Sequence, residues 1–185
     1  MEDIKLVEGI LNGDIECFNQ LVIKYEPIIQ RFVYNMIKQK QTAEDIAQEV
    51  FITVYNKLEL YNKKCKFSSW ILQIAKNKTI DYMRKYNKTT ETNIEDARGI
   101  ATDTISPEES FEFKEMKEEI IQYIDALDEP DKQIIILKYT KDSTFDDIAE
   151  VMEMKLSTVK RRYYKVRDGF KKHMSKEKRG VSYEV

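Results

Sequence analysis

Between residues 67 and 85 the chain reads FSSWILQIAKNKTIDYMRK, and at about 100° per residue this stretch winds into a helix with two unlike faces. Ile71, Leu72, Ala75, Thr79, Tyr82 and Met83 share one side, while Trp70, Gln73, Asn77, Asp81 and Arg84 share the other. The first face asks for a core. The second sets indole, amide, carboxylate and guanidinium groups in one row, a mixture suited to reading a polar, anionic polymer.

A second such surface lies in TFDDIAEVMEMKLSTVKRRYYKVRDGFKK, residues 144 to 172. It reads as a short helix, a tight turn and a longer basic helix. On the longer helix Val159, Tyr163, Val166 and Phe170 form a stripe for burial, and Lys160, Arg161, Tyr164, Arg167 and Lys171 point away. The short helix offers Ile148, Ala149 and Met152 to its partner. That arrangement is a helix-turn-helix, whose second helix can enter a major groove with its N-terminal residues nearest the base edges. Lys160, Arg161 and Tyr164 are the candidate readers. A basic amphipathic helix alone is as often a solvated face; the turn and short helix before it tip the balance to DNA.

A third surface sits on TAEDIAQEVFITVYNKL, residues 42 to 58. Ala43, Ile46, Ala47, Val50, Val54 and Leu58 face one way. The opposite side places Ile52 among Asp45, Gln48, Glu49, Tyr55 and Asn56, and an apolar residue framed by acids and amides suits a protein partner rather than DNA. The competing explanation is a single surface isoleucine, which is common.

No constellation favours catalysis. Asp146 and Asp147 stand in the first turn of a helix, where acids complement the dipole, and His173 is the one histidine in the chain. Cys17 and Cys65 are isolated, with no zinc or disulfide spacing, and are expected to be reduced. No metal and no cofactor are expected.

These surfaces need helices to carry them. Of 185 residues, 42% are hydrophobic, enough for real cores. Helical periodicity runs near Ile4 to Asn12, Ile15 to Tyr25, Ile28 to Ile37, Ala43 to Leu60 and Ser69 to Tyr86, and no run alternates like a strand. Thr42 with Asp45 has the spacing of a capping box, and Phe67 can staple onto Leu72. Residues 87 to 107 lose apolar periodicity and gather Thr, Asn, Asp and Gly, as a linker does. The pattern resumes near Glu108 to Leu127, Asp131 to Tyr139, Phe145 to Met152 and Ser157 to Met174. The fold expected is all-α, two small helical domains joined by an acidic flexible linker, the C-terminal one a helix-turn-helix.

The formal net charge of −2 hides an asymmetry. Lys and Arg are in excess over 63 to 88 and 155 to 179, and acids dominate 89 to 131. Two basic islands around an acidic centre fit local contact with an anion without indiscriminate attraction. No apolar run reaches membrane-spanning length and the N-terminus lacks the pattern of a secretory signal, so a cytoplasmic location is expected.

TAEDIAQEVFITVY, FSSWILQIAKNKTIDYMRK and DDIAEVMEMKLSTVKRR, in that order and at that spacing, resemble bacterial extracytoplasmic-function (ECF) sigma factors of the sigma-70 family. The resemblance covers both halves of the chain. It implies that residues 1 to 86 form region 2, 87 to 107 the linker, 108 to 175 region 4 and 176 to 185 a tail. It implies docking on core RNA polymerase through Asp45, Gln48, Glu49, Phe51, Ile52 and Tyr55. It implies capture of the melted −10 element by Lys63, Lys64, Lys66, Phe67, Ser68, Trp70, Lys76, Asn77 and Arg84, with a base unstacked near the loop from Tyr61 to Lys66. The duplex −35 element would meet Thr158, Lys160, Arg161, Tyr164 and Lys165. Glu153 and Ser157 stand where many relatives have glycine, which implies an adjusted turn. The activity implied is non-enzymatic: the protein carries the polymerase to promoters, assists strand opening, and is held inactive by an anti-sigma factor. The alternative is a stand-alone helix-turn-helix regulator whose N-terminal helices sense a ligand or dimerise.

Overall fold

The computed structural model describes residues 2–90, 111–140 and 143–180. Among them every regular element is a helix: α1 (Glu2–Leu11), α2 (Ile15–Ile37), α3 (Lys40–Lys57), α4 (Phe67–Thr90), α5 (Phe111–Asp125), α6 (Glu129–Thr140), α7 (Phe145–Met152) and α8 (Leu156–Gly180), with a single 3-10 turn at Leu58–Leu60. No helix among the described residues is long and apolar enough to cross a membrane.

The N-terminal half is built on α2. Asp14 caps it, accepting from the Glu16 amide at 2.9 Å, and Lys38 closes it in the left-handed region with its N–H on the Tyr34 carbonyl at 2.7 Å. The sequence suggests a break at Pro27, yet α2 runs through it. Proline forfeits one intrahelical hydrogen bond, and the helix persists because Tyr25, Ile29, Phe32 and Val33, on both sides of the lesion, are fully buried. The expected Thr42–Asp45 capping box is not formed. Helix α3 begins earlier, at Lys40, and the Thr42 hydroxyl donates to Gln39 Oε1 at 3.0 Å instead.

In the C-terminal half a capping box does form, at Thr144 and Asp147. The Asp147 amide donates to Thr144 Oγ1 at 3.1 Å and the Thr144 amide to Asp147 Oδ2 at 3.2 Å, starting α7. Ile148, Val151, Val159, Ile134 and Leu137 pack α7, α8 and α6 together. Helix α5 leans on α8 through Tyr123, whose hydroxyl donates to the Val166 carbonyl at 3.0 Å. Gly169 permits that approach, since a Cβ there would stand 2.5 Å from the Tyr123 oxygen.

The two halves meet. Helix α7 packs on α4 and α6 packs on α2, and the buried side chains of both halves form one continuous apolar cluster. Residues 91–110, which hold most of the expected linker, lie outside the described residues. Helix α4 extends past the expected end at Tyr86 to Thr90.

Candidate nucleic-acid interfaces

Helix α3 buries Ala43, Ile46, Ala47, Val50 and Val54 against α2 and α4 and so turns Asp45, Gln48, Glu49, Ile52 and Tyr55 outward. Ile52 is 62% exposed, a large loss of apolar burial for a side chain with a whole core beside it. Tyr55 is 54% exposed and is braced from below by the edge of Phe18, ring centroids 5.2 Å apart. Glu49 is tied to Lys78 of α4 at 3.0 Å. Phe51 departs from the expected docking set: it is 8% exposed and belongs to the core, because its position falls on the edge of the apolar stripe.

The loop before α4 is held by its own polar groups. Tyr61 donates to the Cys65 carbonyl at 2.7 Å, the Lys64 amide donates to Asn62 Oδ1 at 3.0 Å, and Lys63 takes a left-handed backbone with φ of 59°. Burial pushes the Tyr61 phenol up, and burial followed by the nearby Glu150 pushes the Cys65 thiol up, so neither ionises near neutrality. Helix α4 presents Asn77, Asp81 and Arg84 to solvent on one face and buries Ile71, Leu72, Ala75 and Thr79 on the other.

Several members of the expected −10 set are engaged elsewhere. Phe67 is in the core, in contact with the rings of Tyr25, Tyr61 and Trp70, which removes it from any DNA surface. Trp70 is half-buried beneath the loop, its ring 5.3 Å from that of Tyr61, so it supports the loop instead of standing free to stack. Ser68 is half-buried as well. Lys63 pairs with Glu8 of α1 at 2.6 Å, while Lys64 points to solvent. Lys66 reaches Asp147 of α7 at 2.8 Å, and that carboxylate holds its ammonium above the usual lysine range. Lys76 is buried, its Nζ 3.4 Å from Glu153, because the C-terminal half covers this part of α4. Asn77 and Arg84 remain available.

The helix-turn-helix is α7, the turn at Glu153 to Lys155, and α8. Glu153 occupies a left-handed position (φ 54°, ψ 39°) and caps α7 with its N–H on the Ala149 and Glu150 carbonyls. The glutamate therefore takes the backbone shape a glycine would, and the turn keeps its form. Val159 and Val166 are buried, leaving Lys160, Arg161, Tyr164, Arg167 and Lys171 exposed. The Arg167 guanidinium lies 4.6 Å from the centre of the Tyr164 ring, which stiffens that pair. Thr158 is half-buried at the start of α8. Lys165 stands 3.6 Å from Asp131, towards α6, set apart from Lys160 and Arg161.

Asp131 carries no signal in the sequence pattern. Its carboxylate is 3% exposed and accepts from Arg162 Nη1 at 2.6 Å, locking α8 to the first turn of α6. Only the three-dimensional fold brings these residues together, since they are 31 apart in the chain. Among the described residues no group of three His, Cys, Asp or Glu side chains could hold a metal ion.

Comparison with known proteins places both halves. The family model for Sigma-70 region 2 matches residues 21–89, and that for Sigma-70, region 4 matches residues 117–168. The ECF RNA polymerase sigma factor SigW of Bacillus subtilis is 30% identical over 92% of this chain and 95% of its own length. The RNA polymerase sigma-H factor of Pseudomonas aeruginosa is 28% identical over 92% of this chain and 93% of its own. In fold, the chain is similar to CnrH, solved in complex with the cytosolic domain of CnrY, at a TM-score of 0.72 and 16% identity over 95% of this chain and 98% of that one. It is also similar to RpoE of Bartonella quintana, solved with the anti-sigma factor NepR, at a TM-score of 0.69 and 16% identity over 90% of this chain and 98% of that one. A stand-alone regulator has no use for a region 2, so that alternative is not favoured. With both regions present in order and a 30% identical relative matched along nearly its whole length, the chain belongs to the sigma-70 family, among its ECF RNA polymerase sigma factors.

Proposed function

We propose that the surfaces described above divide the work of a sigma factor among α3, α4 and α8. The protein binds core RNA polymerase and directs it to specific promoters at transcription initiation. The exposed Ile52, with Tyr55 beside it and Asp45, Gln48 and Glu49 around it, is the observation that carries the residue-level reading: it has the apolar centre and polar rim of a protein-docking patch. Asn77 and Arg84 on α4, with Lys64 in the loop, meet the melted −10 strand, and Lys66 and Lys76 join them once released from their acidic partners. Unstacking a base costs a few kcal/mol, which pocket contacts and nearby cations offset. Lys160, Arg161 and Tyr164 read the −35 duplex.

In this reading residues 1 to 86 work with the polymerase and the −10 element, residues 108 to 175 with the −35 element, and 87 to 107 connect them. The protein is not itself an enzyme; the polymerase supplies the chemistry. It acts in the cytoplasm and is restrained by an anti-sigma factor, as the RpoE of Bartonella quintana is found bound to one.

The test is titration of the purified protein into sigma-free bacterial core polymerase beside Ile52→Asp and Gln48→Ala variants. One-to-one binding that Ile52→Asp abolishes supports the assignment. Equal binding by Ile52→Asp overturns the docking patch, and failure of every form to bind, with tight binding to duplex DNA alone, overturns the sigma-factor reading at the level of mechanism.

A further inference from the structure

Three ion pairs between the halves of the chain run the same way. Lys38 faces Asp125 at 3.7 Å, Lys66 faces Asp147 at 2.8 Å and Lys76 faces Glu153 at 3.4 Å. Each cation belongs to the N-terminal half and each anion to the C-terminal half. Two of the three cations lie in the element assigned above to the −10 strand. The acids opposite the two loop and α4 cations are not scattered: Asp147, Glu150 and Glu153 recur every three residues along α7 and into its C-cap. Glu150, between the two pairing acids, sits close enough to Tyr61 and Cys65 of the loop to bias both. The side chain of Lys76 is only 8% exposed, so a phosphate cannot reach it while α7 is in place.

We propose that this acidic face of α7 is a docking surface for the chain's own −10-reading element, so that the closed chain and the promoter-bound chain exclude each other. The proposal rests on the sigma-factor reading of α4 and its loop. A row of carboxylates one helical turn apart offers Lys66 and Lys76 the kind of partner that a nucleic-acid backbone would offer, at no entropic cost of recruiting a second molecule. It also turns the helix-turn-helix into the cover: α7 is one of its two helices, so a single movement of the C-terminal half uncovers the −10 face, while Lys160, Arg161 and Tyr164 on α8 are already exposed. The opening is reversible because partly exposed ion pairs are individually weak and are screened by salt. Glu153, standing in the turn where a glycine would be the easier residue, has a purpose here that DNA reading does not give it. A carboxylate there would only repel the promoter.

The full chain tests this. A triple variant, Asp125→Asn with Asp147→Asn and Glu153→Gln, is compared with the wild type and with a control neutralising Glu44, Glu59 and Glu118, acids outside the three pairs. Small-angle scattering at low salt should give the triple variant a larger radius of gyration, and its affinity for a short oligo-dT strand should rise about fivefold to tenfold, the scale expected on removing three weak pairs. The control should stay compact and gain less than about twofold, which accounts for the general effect of removed negative charge. The wild type should expand over a salt ramp, with no substitution needed. An unchanged radius in the triple variant, or a gain in affinity that the control matches, overturns the proposal. Titration of the same samples into core polymerase separates the two ideas: expansion without core binding removes the sigma reading and keeps the clasp, and core binding without expansion does the reverse.

Discussion

Lys76 Nζ lies 3.4 Å from a Glu153 carboxylate oxygen, joining the middle of α4 to the turn of the helix-turn-helix across 77 residues of sequence. The lysine is buried and the glutamate largely exposed, so the two ends of this pair matter unequally. Glu153 also holds a left-handed backbone, which costs a non-glycine residue about 1 to 2 kcal/mol. Glu153→Gly relieves that cost and at the same time leaves a buried ammonium without its carboxylate. In the wild-type background the two effects oppose and the thermal midpoint should move little. In a Lys76→Met background only the relief remains, and Glu153→Gly should stabilise the protein by about 1 kcal/mol. A thermal double-mutant cycle reads this directly; a destabilising Glu153→Gly in both backgrounds would mean the left-handed turn is not strained.

Tyr55 stands on the edge of Phe18 with its outer face in solvent. A braced aromatic surrenders little freedom on docking, which is the property of a binding hot spot. Tyr55→Ala should weaken core-polymerase binding by about 2 kcal/mol or more, and Tyr55→Phe by no more than about 0.5 kcal/mol, because the ring and not the hydroxyl makes the patch. Equal weakening in both, measured by titration, would assign the contact to the hydroxyl.

The Asp131–Arg162 pair is nearly sealed from water on the aspartate side. Removing one partner of such a pair strands the other, at a cost of about 3 to 5 kcal/mol, whereas replacing both by apolar residues is far milder. Asp131→Leu and Arg162→Met should each lower the melting temperature of the protein substantially, and the double substitution should recover most of that drop. If the double variant melts no higher than the singles, the pair is more than a local brace for α8.

Asp147 joins the cap of α7 to Lys66. Burial works to raise its pKa, but the hydrogen bonds from Lys66 and Thr144 outweigh it and hold the carboxyl below its ordinary value. In the unfolded chain an aspartate titrates near about 3.9. Folding therefore favours the ionised form. The resulting stability is fully present above about pH 3.9 and drains away as the pH falls through the lower folded-state value. Asp147→Asn should flatten the acid side of the stability profile, leaving the thermal midpoint of the variant less dependent on pH below about 4 than that of the wild type. Parallel acid limbs for the two proteins would contradict the assignment.

What the sequence made legible was the local part of this design. The stripe of Val159 and Val166 on α8 and the division of α4 between Ile71, Leu72 and Ala75 on one side and Asn77 and Arg84 on the other both follow from a period of 3.6 residues, and both appear in the fold. Lys76 reads as a surface cation by the same rule, because its cover comes from α7, which no local pattern announces. Phe67 reads as a helix-start residue that can staple, and tertiary packing against Tyr25 and Tyr61 draws it fully into the core. At Pro27 the local rule gives a break, and burial on both sides overrides it. Of the two Thr-x-x-Asp spacings only the second forms a box, since at the first the helix has already begun two residues earlier.

Lys160 and Arg161 are exposed at the start of α8 and neither takes part in an ion pair among the described residues, unlike Lys165 beside Asp131 and Arg167 beside Asp168. Cations on the leading turns of a recognition helix can meet either a base edge or a phosphate, and the two interactions leave different signatures. Removing a base-edge interaction costs about 1 to 3 kcal/mol and relaxes preference at one position of the −35 element, while removing a phosphate interaction weakens all sequences alike and lowers the salt slope by about one. Arg161→Ala should fall in the first class, its planar fork suiting a guanine edge, and Lys160→Ala in the second, its point charge suiting a phosphate. Promoter-binding assays of the holoenzyme, run across −35 variants and a range of salt, separate them. Unchanged preference and unchanged salt slope in both variants would move the −35 surface off this face of α8. Tyr164, whose ring the Arg167 guanidinium approaches at 4.6 Å, can touch a thymine methyl without any charge, so Tyr164→Ala in the same assays reads the share of the ring in this face.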